Sequence, residues 1–265
     1  MQVVILCGGS GTRMREETEF RPKPMVHVGG KPILWHIMKY YSCFGHNDFL
    51  LALGYKQEII REYFRNFDIL NMDYKLLINN NSIIDYYPID LGDRFTEPWN
   101  VSLIDTGENS LKGSRLKQVE KYITDDTFLM TYGDGIGNIN IDNLIRFHHN
   151  RSATATVTGV LPLSRFGEIH HDSEGNVTSF AEKKKTDSNN LINGGFFVFN
   201  KDIFNYLVAN EWCDLEHGPL EVLAERGKMA VYKHTGFWGC MDTVVDVHNL
   251  NEIWRKEKPW KLWKD

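Results

Sequence analysis

The chain has 265 residues, of which 42% are hydrophobic and 12% aromatic, enough for the core of one large domain or two small ones. A formal net charge of −5 without a long basic run argues against a nucleic-acid partner. No apolar run approaches the roughly 20 residues of a membrane span, and the four scattered cysteines lack zinc-site spacing, which is typical of a cytoplasmic protein with reduced thiols.

Apolar runs alternate with amphipathic segments along most of the chain. Short apolar or β-branched runs predict strands at residues 3–6, 49–53, 128–132, 153–160 and 193–199. Apolar residues at helical spacing predict helices at residues 33–41, 57–67 and 141–149, and a final helix from Thr243. The alternation predicts an α/β fold with a mostly parallel sheet, in which ligands bind beyond the carboxyl ends of the strands.

Residues 68–105 interrupt this alternation. Three strand-like runs predict an antiparallel, β-rich insertion there, at residues 74–78, 83–87 and 101–105. The aromatic residues of the segment suit either a core or an oligomer contact: Tyr86, Tyr87 and Trp99. Because the chain has no internal repeat and no low-complexity linker, we expect a single domain over residues 1–265.

The first predicted strand opens onto a glycine-rich loop, Gly8-Gly9-Ser10-Gly11-Thr12-Arg13, and Pro22-Lys23-Pro24 follows soon after. Glycines lack Cβ atoms and let amide groups close around phosphate oxygens, while Arg13 and Lys23 add two cations, which suits a nucleoside triphosphate. The loop is not a P-loop, because no Lys-Ser or Lys-Thr follows Gly11, and it lacks the third glycine of a dinucleotide fingerprint. The alternative is a tight strand-to-helix turn whose glycines are incidental.

Two aspartates are candidate metal ligands. Asp134 lies between two glycines directly after the predicted strand at residues 128–132, and Asp242 precedes the final helix. Carboxylates at strand ends suit a divalent cation bound to phosphates, and two of them on opposite sides of one pocket could hold one Mg²⁺. Taken singly, Asp134 could instead be a turn residue and Asp242 the N-cap of the final helix.

Two further motifs are candidates for binding a sugar phosphate. Glu182 and Lys183 offer a carboxylate for sugar hydroxyls and an amine for a phosphate, although Lys183-Lys184-Lys185 also resembles a solvated charge run. Asn193 and Gly194 offer a donor, an acceptor and close approach to the backbone, although this motif fits a β-bulge equally well.

A second glycine-and-cation patch contains Thr106, Gly107 and Arg115. It follows a predicted strand, where a backbone turn could read the edge of a base and Arg115 could donate to a carbonyl or a phosphate. The alternative is a loop capped by Ser114 before a helix from about Leu116.

Together these motifs resemble the sugar-1-phosphate nucleotidyltransferase family over nearly the whole chain. The parts that members of the family share are residues 8–13, 22–24, 133–135, 182–183 and 193–195. Longer stretches are similar to the cytidylyltransferase branch that acts on glucose 1-phosphate, at residues 23–38, 97–108, 131–135, 236–238 and 241–243.

The resemblance implies a Rossmann-like, GT-A-like α/β core, dependence on Mg²⁺ and assembly into a homo-oligomer. It also implies in-line attack of a sugar 1-phosphate on the α-phosphorus of CTP, with release of pyrophosphate. Such a transfer is catalysed mainly by positioning and charge neutralisation. Arg13 would hold the departing pyrophosphate, Lys23 would bind the reacting phosphates, and Asp134 with Asp242 would hold the metal.

The same resemblance assigns the two substrates to separate groups of residues. Glu182 would bind sugar hydroxyls and Lys183 the sugar phosphate, with Asn193 and Gly194 beside them. The nucleotide would be surrounded by residues of the two glycine-containing loops, namely Leu6, Gly8, Gly9, Gly11, Thr12, Thr106, Gly107 and Arg115.

Two departures from the family pattern flank the expected sugar site. Lys184 stands where the family usually has a proline, and Gly239 with Cys240 stands where it usually has Gln-Pro. The acceptor could therefore be a different sugar phosphate or a polyol phosphate. A separate alternative keeps the reaction and changes the base of the nucleoside triphosphate. The chain could also be a non-catalytic subunit that binds nucleotide sugars, although a mere binder has no need for a metal site.

Overall fold

The computed structural model describes residues 1–71, 74–79, 82–88, 97–161, 168–181 and 190–264. Its strands, in chain order, are β1 (Gln2–Leu6), β2 (His27–Val28), β3 (Lys31–Pro32), β4 (Asp48–Leu53), β5 (Tyr74–Asn79), β6 (Ser82–Pro88), β7 (Asn100–Asp105), β8 (Thr127–Tyr132), β9 (Gly135–Gly137), β10 (Ala155–Val160), β11 (Glu168–His171), β12 (Val177–Ala181), β13 (Ile192–Asn200), β14 (Met229–His234) and β15 (Trp238–Cys240). Its α-helices are α1 (Arg15–Thr18), α2 (Ile33–Ser42), α3 (Gln57–Arg65), α4 (Phe67–Asn71), α5 (Lys112–Val119), α6 (Ile141–His149), α7 (Glu221–Glu225) and α8 (Val244–Lys256).

A seven-stranded sheet forms the centre of the molecule, in the order β14-β10-β13-β8-β1-β4-β7. Strand β1 pairs in parallel with β4 and β8, β4 pairs in parallel with β7, and β10 with β14. Within this sheet β13 alone runs antiparallel to both of its neighbours. The predicted α/β fold with a mostly parallel sheet is confirmed.

Both faces of the sheet are buried, because alternate residues of its central strands enter different apolar clusters. Val3 and Ile5 of β1 pack on the face that α2, α6 and α8 cover. Val4 and Leu6 pack on the other face, with α5 and α7. A strand buried on both sides needs an uninterrupted apolar run, which is the pattern that residues 3–6 present.

The inserted segment differs in part from the prediction. Strands β5 and β6 form the expected antiparallel hairpin. Strand β7 does not belong to the insertion, however, because it pairs in parallel with β4, with Leu51 opposite Leu103, and is an edge strand of the main sheet. A strand-like run shows where a strand lies but not which strand it pairs with, so the sequence could not separate these two cases.

Of the three aromatic residues of this segment, the structure describes the side chain of Trp99. Trp99 packs against Phe49 and Phe67, with ring centroids 5.9 and 5.5 Å away, so it lies partly buried against the core. The side chains of Tyr86 and Tyr87 lie outside the described part of the chain.

Two helix boundaries differ from those predicted. The helix expected at residues 57–67 is divided at Asn66, which ends α3 in a non-helical conformation. Helix α5 begins at Lys112 with Leu111 at its N-cap, so Ser114 lies inside its first turn and is not a cap. Among the described helices, none is both long and apolar enough to span a membrane.

His36 of α2 is buried in a group of tryptophans that connects this helix to the C-terminal segment. Its Nε2 lies 2.7 Å from the carbonyl oxygen of Val28, and Trp260 Nε1 lies 3.3 Å from its Nδ1. Because an indole N–H can only donate, Nδ1 accepts from Trp260, and Nε2 carries the ring proton and donates to the carbonyl oxygen of Val28. Burial, helped by the charge of Lys31, lowers the pKa of His36 to about 4, so the ring is neutral in the folded protein.

This burial should make the stability of the fold depend on pH. Because the pKa of His36 is about 4 in the folded state against 6.5 as the ordinary value, its contribution is complete above pH 6.5 and is lost as the pH falls toward 4. We expect the free energy of unfolding to decrease across that window by up to about 1.4 kcal/mol per pH unit for this group. His46, whose pKa burial also lowers to about 4, adds to the slope.

Urea unfolding at several pH values between 7 and 4 measures this slope. The His36→Gln variant should show a shallower dependence on pH than the unmodified protein. His149→Gln is a matched control, because His149 is exposed at the end of α6 and its substitution should leave the slope unchanged. Equal slopes for all three proteins would contradict the assignment.

Candidate functional site

Three neighbouring parallel strands, β8, β1 and β4, end together at one edge of the sheet. Leu6, the last residue of β1, is aligned with Tyr132, the last residue of β8. The loops that follow are joined by backbone hydrogen bonds, from Gly133 N to Leu6 O (3.0 Å) and from Tyr55 N to Gly8 O (3.2 Å). The glycine-rich loop and the Gly133-Asp134 turn, far apart in the sequence, therefore lie side by side, as expected for strand ends in a parallel sheet.

The glycine-rich loop leads from β1 into a short 3₁₀ turn at Thr12–Met14. Gly11 has a φ of +61°, in the left-handed region, and a Cβ there would lie 2.7 Å from Thr18 Cγ2. Gly9 is exposed, with open space where a Cβ would stand, so its backbone is accessible to a ligand. The loop is therefore a tight strand-to-helix turn whose backbone is exposed at Gly9. The tight-turn interpretation and the phosphate-binding interpretation of the sequence are compatible.

A small antiparallel ladder brings the two candidate metal ligands together. Strand β9 pairs with β15, with Gly135 opposite Cys240, and Met241 N donates to the carbonyl oxygen of Asp134 (2.9 Å). Asp134 comes just before this ladder and Asp242 just after it. Residues from distant parts of the sequence thereby face each other at the edge of the sheet.

Asp242 is not the N-cap of the final helix. Thr243 has that position, since its Oγ1 accepts from Asp246 N (3.3 Å) and the Asp246 carboxylate accepts from Thr243 N (2.8 Å). This reciprocal pair is a capping box. The capping alternative for Asp242 is therefore wrong, and its carboxylate is directed toward other partners.

Lys23 is held in place by the prolines on either side of it. It opens a short 3₁₀ turn, Lys23–Met25, and Pro22 at the N-cap has the extended conformation that precedes such a turn. Pro24 is buried, and a Cβ at Gly133 would lie 2.8 Å from Pro24 Cγ. Glycine at position 133 thus lets this turn pack directly on the end of β8.

The Lys23 ammonium lies between the two aspartates. Its Nζ is 2.6 Å from Asp134 Oδ2 and 2.7 Å from Asp242 Oδ1, while Arg13 Nη1 lies 3.0 Å from Asp242 Oδ2. Burial alone would lower the pKa of Lys23, but the charges and hydrogen bonds of the two carboxylates outweigh it and raise the pKa above its usual value. The Arg13 side chain is 71% exposed, so its ion pair is weak and easily exchanged for another anion.

Asp134, Asp242 and Cys240 each offer one possible ligand atom, and these atoms lie within 4.8 Å of one another. Two carboxylate oxygens suit a hard divalent cation such as Mg²⁺, whose other positions phosphate oxygens and water would fill. Burial and the nearby aspartates raise the pKa of the Cys240 thiol, which keeps it protonated and unsuited to such an ion. The donor set therefore fits a hard cation held by Asp134 and Asp242, for which the Lys23 ammonium competes.

Arg115 lies under the loops that follow β1, β4 and β7. Only 3% of the residue is exposed, and a Cβ at Gly8 or Gly54 would overlap its guanidinium. The guanidinium donates to five oxygens of these loops, those of Gly8 O (2.9 Å), Leu53 O (3.0 Å), Thr106 Oγ1 (2.8 Å), Gly107 O (2.7 Å) and Glu108 O (2.9 Å). Arg115 thus fixes the positions of the loops relative to each other.

Gly54 is a site residue that the sequence reasoning missed. It follows β4 in the same way that Gly133 follows β8, so the strand-end rule could have identified it. Thr106 and Gly107, in contrast, were predicted, and the structure brings them to the Arg115 guanidinium beside the glycine-rich loop.

Asn193 and Gly194 reach the same edge because β13 runs antiparallel to its neighbours. The pairing of β10 with β13 shifts between Val157 and Gly159, which face Phe197 and Asn193, so a bulge lies at residues 194–196. The β-bulge interpretation is confirmed as a description of the backbone. It leaves Asn193 exposed at the site, and Trp238 Nε1 donates to Gly194 O (2.7 Å) from the opposite side.

The remaining sugar-binding candidates, Glu182 and Lys183, lie outside the described residues, as does Lys184. Their roles stay predictions from the sequence.

Comparison with known proteins adds to this geometry. The family model for nucleotidyl transferases matches residues 2–254. The chain is 45% identical to the glucose-1-phosphate cytidylyltransferase of Salmonella typhi over 266 aligned positions, which cover 100% of both chains.

Solved structures are similar in fold. HddC from Yersinia pseudotuberculosis, complexed with GMP-PN, aligns with a TM-score of 0.64 and 23% identity over 96% of this chain and 99% of that one. UDP-glucose pyrophosphorylase complexed with UDP-glucose aligns with a TM-score of 0.66 and 14% identity, over 97% of this chain and 99% of that one. The predicted nucleotidyltransferase type of α/β fold is confirmed.

The position of Lys23 predicts that removing its charge strengthens the binding of a lone cation. In Lys23→Met the two aspartates keep their charges but lose the competing ammonium, so we expect Mn²⁺ to bind at least about fivefold more tightly in the absence of nucleotide. Electron paramagnetic resonance of free Mn²⁺ measures this affinity directly.

Lys228→Met serves as the control for this experiment. Lys228 is exposed and precedes β14, at the opposite edge of the sheet, so its loss should leave Mn²⁺ affinity unchanged. Weaker or equal Mn²⁺ binding by Lys23→Met would show that the ammonium does not compete with a cation for Asp134 and Asp242.

Proposed function

The chain belongs to the nucleotidyl transferase family, and from this premise we propose that it transfers a cytidylyl group from CTP to glucose 1-phosphate, giving CDP-glucose and pyrophosphate. Identity of 45% with a glucose-1-phosphate cytidylyltransferase over the full length of both chains supports the choice of substrates. The observation that carries the proposal is the convergence of Arg13, Lys23, Asp134 and Asp242 beside the glycine-rich loop.

The proposed reaction is an in-line displacement at the α-phosphorus of CTP. An oxygen of the sugar phosphate forms the new P–O bond, and the bond to the departing pyrophosphate breaks. Backbone amides of the glycine-rich loop hold the phosphates, while Lys23 leaves the carboxylates and neutralises phosphate charge. Arg13, which is exposed and weakly paired, holds the pyrophosphate. Mg²⁺, when bound at Asp134 and Asp242, supplies the remaining positive charge.

Positioning supplies most of the proposed catalysis, because phosphoryl transfer requires little covalent participation by the protein. The buried Arg115 supports this role by holding three loops in one arrangement under the nucleotide. Leu6 and Thr12, at the two ends of the glycine-rich loop, complete the proposed nucleotide contacts.

The acceptor has a second candidate. Cys240 lies directly opposite Gly135 in the ladder that aligns the aspartates, and with Gly239 it replaces the Gln-Pro that the family usually has. This difference beside the proposed sugar site favours testing other sugar phosphates and polyol phosphates together with glucose 1-phosphate.

We also propose that the protein works as a homo-oligomer. Leu70 in α4 and Leu77 in β5 are 59% and 50% exposed, and exposed apolar side chains of this size suit contact with a second copy. Light scattering after size-exclusion chromatography measures the assembly, and a monomer at micromolar concentration would contradict it.

Pyrophosphate release across four nucleoside triphosphates and a panel of sugar 1-phosphates tests the reaction. We expect turnover that requires a divalent cation and is fastest with CTP and glucose 1-phosphate. Preference for another acceptor with CTP would identify the second candidate, and absence of turnover with every pair would refute the proposal.

Substitution of Asp134 tests the proposed metal role. Asp134→Asn keeps the size of the side chain and removes a charged ligand, so we expect at least about a tenfold loss of turnover, equivalent to about 1.4 kcal/mol in the barrier. Asp126→Asn is the matched control, since Asp126 is exposed just before β8, at the opposite end of that strand. Near-normal rates for Asp134→Asn at low Mg²⁺ would rule out the metal assignment.

A further inference from the structure

Tyr132 connects the candidate site to the polar side chains of Lys112, Asn193 and Glu216. It is the last residue of β8, directly before Gly133 and Asp134. Its hydroxyl donates to Glu216 Oε1 (2.5 Å) and lies 3.2 Å from Asn193 Nδ2. Lys112, the first residue of α5, pairs with the same Glu216 oxygen, and its Nζ lies 5.2 Å from the centroid of the Tyr132 ring. We call Lys112, Tyr132, Asn193 and Glu216 the Tyr132 network.

The chemistry of these groups gives every hydrogen bond in the Tyr132 network a direction. A carboxylate only accepts, so the Tyr132 O–H donates to Glu216 and leaves the phenol oxygen as an acceptor. Asn193 must then present its NH₂ group to Tyr132, and its Oδ1 accepts from Gly195 N in the bulge (2.8 Å). The Tyr132 hydroxyl and the Gly195 N–H therefore require the same orientation of the Asn193 amide.

The Tyr132 network is held in place at Glu216. Lys112 balances the charge of Glu216, and Glu216 is itself anchored by its backbone N–H, which donates to Asp214 Oδ1 (3.0 Å). Such a charge-assisted chain is stronger than bonds between neutral groups.

Asn193 keeps hydrogen-bonding capacity for a ligand. Its amide has two N–H donors and two oxygen lone pairs, and contacts with the described residues use one of each. Asn193 is exposed, so the described part of the chain leaves the second N–H and the second lone pair accessible at the edge where Asp134 lies. A sugar hydroxyl, which both donates and accepts, complements this remaining pair.

We propose that Tyr132, supported by Glu216, is a positioning residue that orients the Asn193 amide toward a hydroxyl of the sugar 1-phosphate and so contributes to acceptor selection. This inference rests on the proposed function and concerns the sugar substrate only. Tyr132 itself does not touch the acceptor; it acts through Asn193.

The test compares Michaelis constants for the two substrates in Tyr132→Phe, which keeps the ring and removes the hydroxyl. Loss of one oriented hydrogen bond should raise KM for the sugar 1-phosphate about three- to tenfold. KM for CTP should stay within about twofold of that of the unmodified protein, because the nucleotide loops are held by Arg115 and not by Tyr132. Tyr122→Phe, at an exposed tyrosine, is the matched control and should change neither constant.

A double-mutant cycle separates an effect of Tyr132 on the orientation of the Asn193 amide from an effect on the stability of the whole protein. If Tyr132 acts through Asn193, adding Tyr132→Phe to Asn193→Ala should produce no further increase in KM for the sugar 1-phosphate. Glu216→Gln, whose amide oxygen can still accept from Tyr132, should show a smaller increase than Tyr132→Phe and provides a second readout if the latter folds poorly.

The outcomes distinguish this inference from the proposed function. If the unmodified protein turns over, two results would overturn the inference alone. One is an equal increase of both Michaelis constants in Tyr132→Phe, and the other is additive effects in the double-mutant cycle. Absence of turnover by the unmodified protein with any substrate pair would overturn the proposed function and this inference with it.

Discussion

A buried guanidinium determines the form of the candidate site. Removing an arginine from water is costly unless its donors are satisfied, and Arg115 meets this requirement with oxygens from three loops. Those oxygens converge only because β1, β4 and β7 are parallel neighbours whose ends coincide. The same contact leaves no room for side chains at Gly8 and Gly54. The shape of the glycine-rich loop therefore depends on a residue far along the chain.

The charged side chains of the candidate site form a balanced group. Lys23 and Arg13 face Asp134 and Asp242, so two cations neutralise two anions at the edge of the sheet. A triphosphate with its cation also pairs opposite charges. When it binds, the two cationic side chains can pair with the phosphates and the two aspartates with the cation, so that no half-buried charge is left unpaired. Arg13, the more exposed cation, can move at little cost, whereas the turn between two prolines fixes the backbone of Lys23 and leaves only its side chain to change partners.

The sequence was informative wherever a local pattern decides the structure. Uninterrupted apolar runs identified the central strands, and the strand-end rule placed Gly8 and Asp134 near each other. The sequence did not predict features that depend on residues far along the chain. Examples are the pairing of β7 with β4 and the start of α5 before Ser114. The sequence also left open whether Asp242 was a cap, which the capping box at Thr243 excludes. Glu216 carries no local signal, since its link to Tyr132 arises only from tertiary packing.

The β9–β15 ladder has a consequence for the order in which the molecule is completed. Ribosomal synthesis produces the glycine-rich loop, Lys23 and Asp134 before Asp242, which the three-residue strand β15 and the capped start of α8 bring to the site. Until β15 has paired with β9, Lys23 has one carboxylate partner instead of two. A chain that stops before β15 therefore lacks the paired aspartates, and a segment made after the central sheet completes the site.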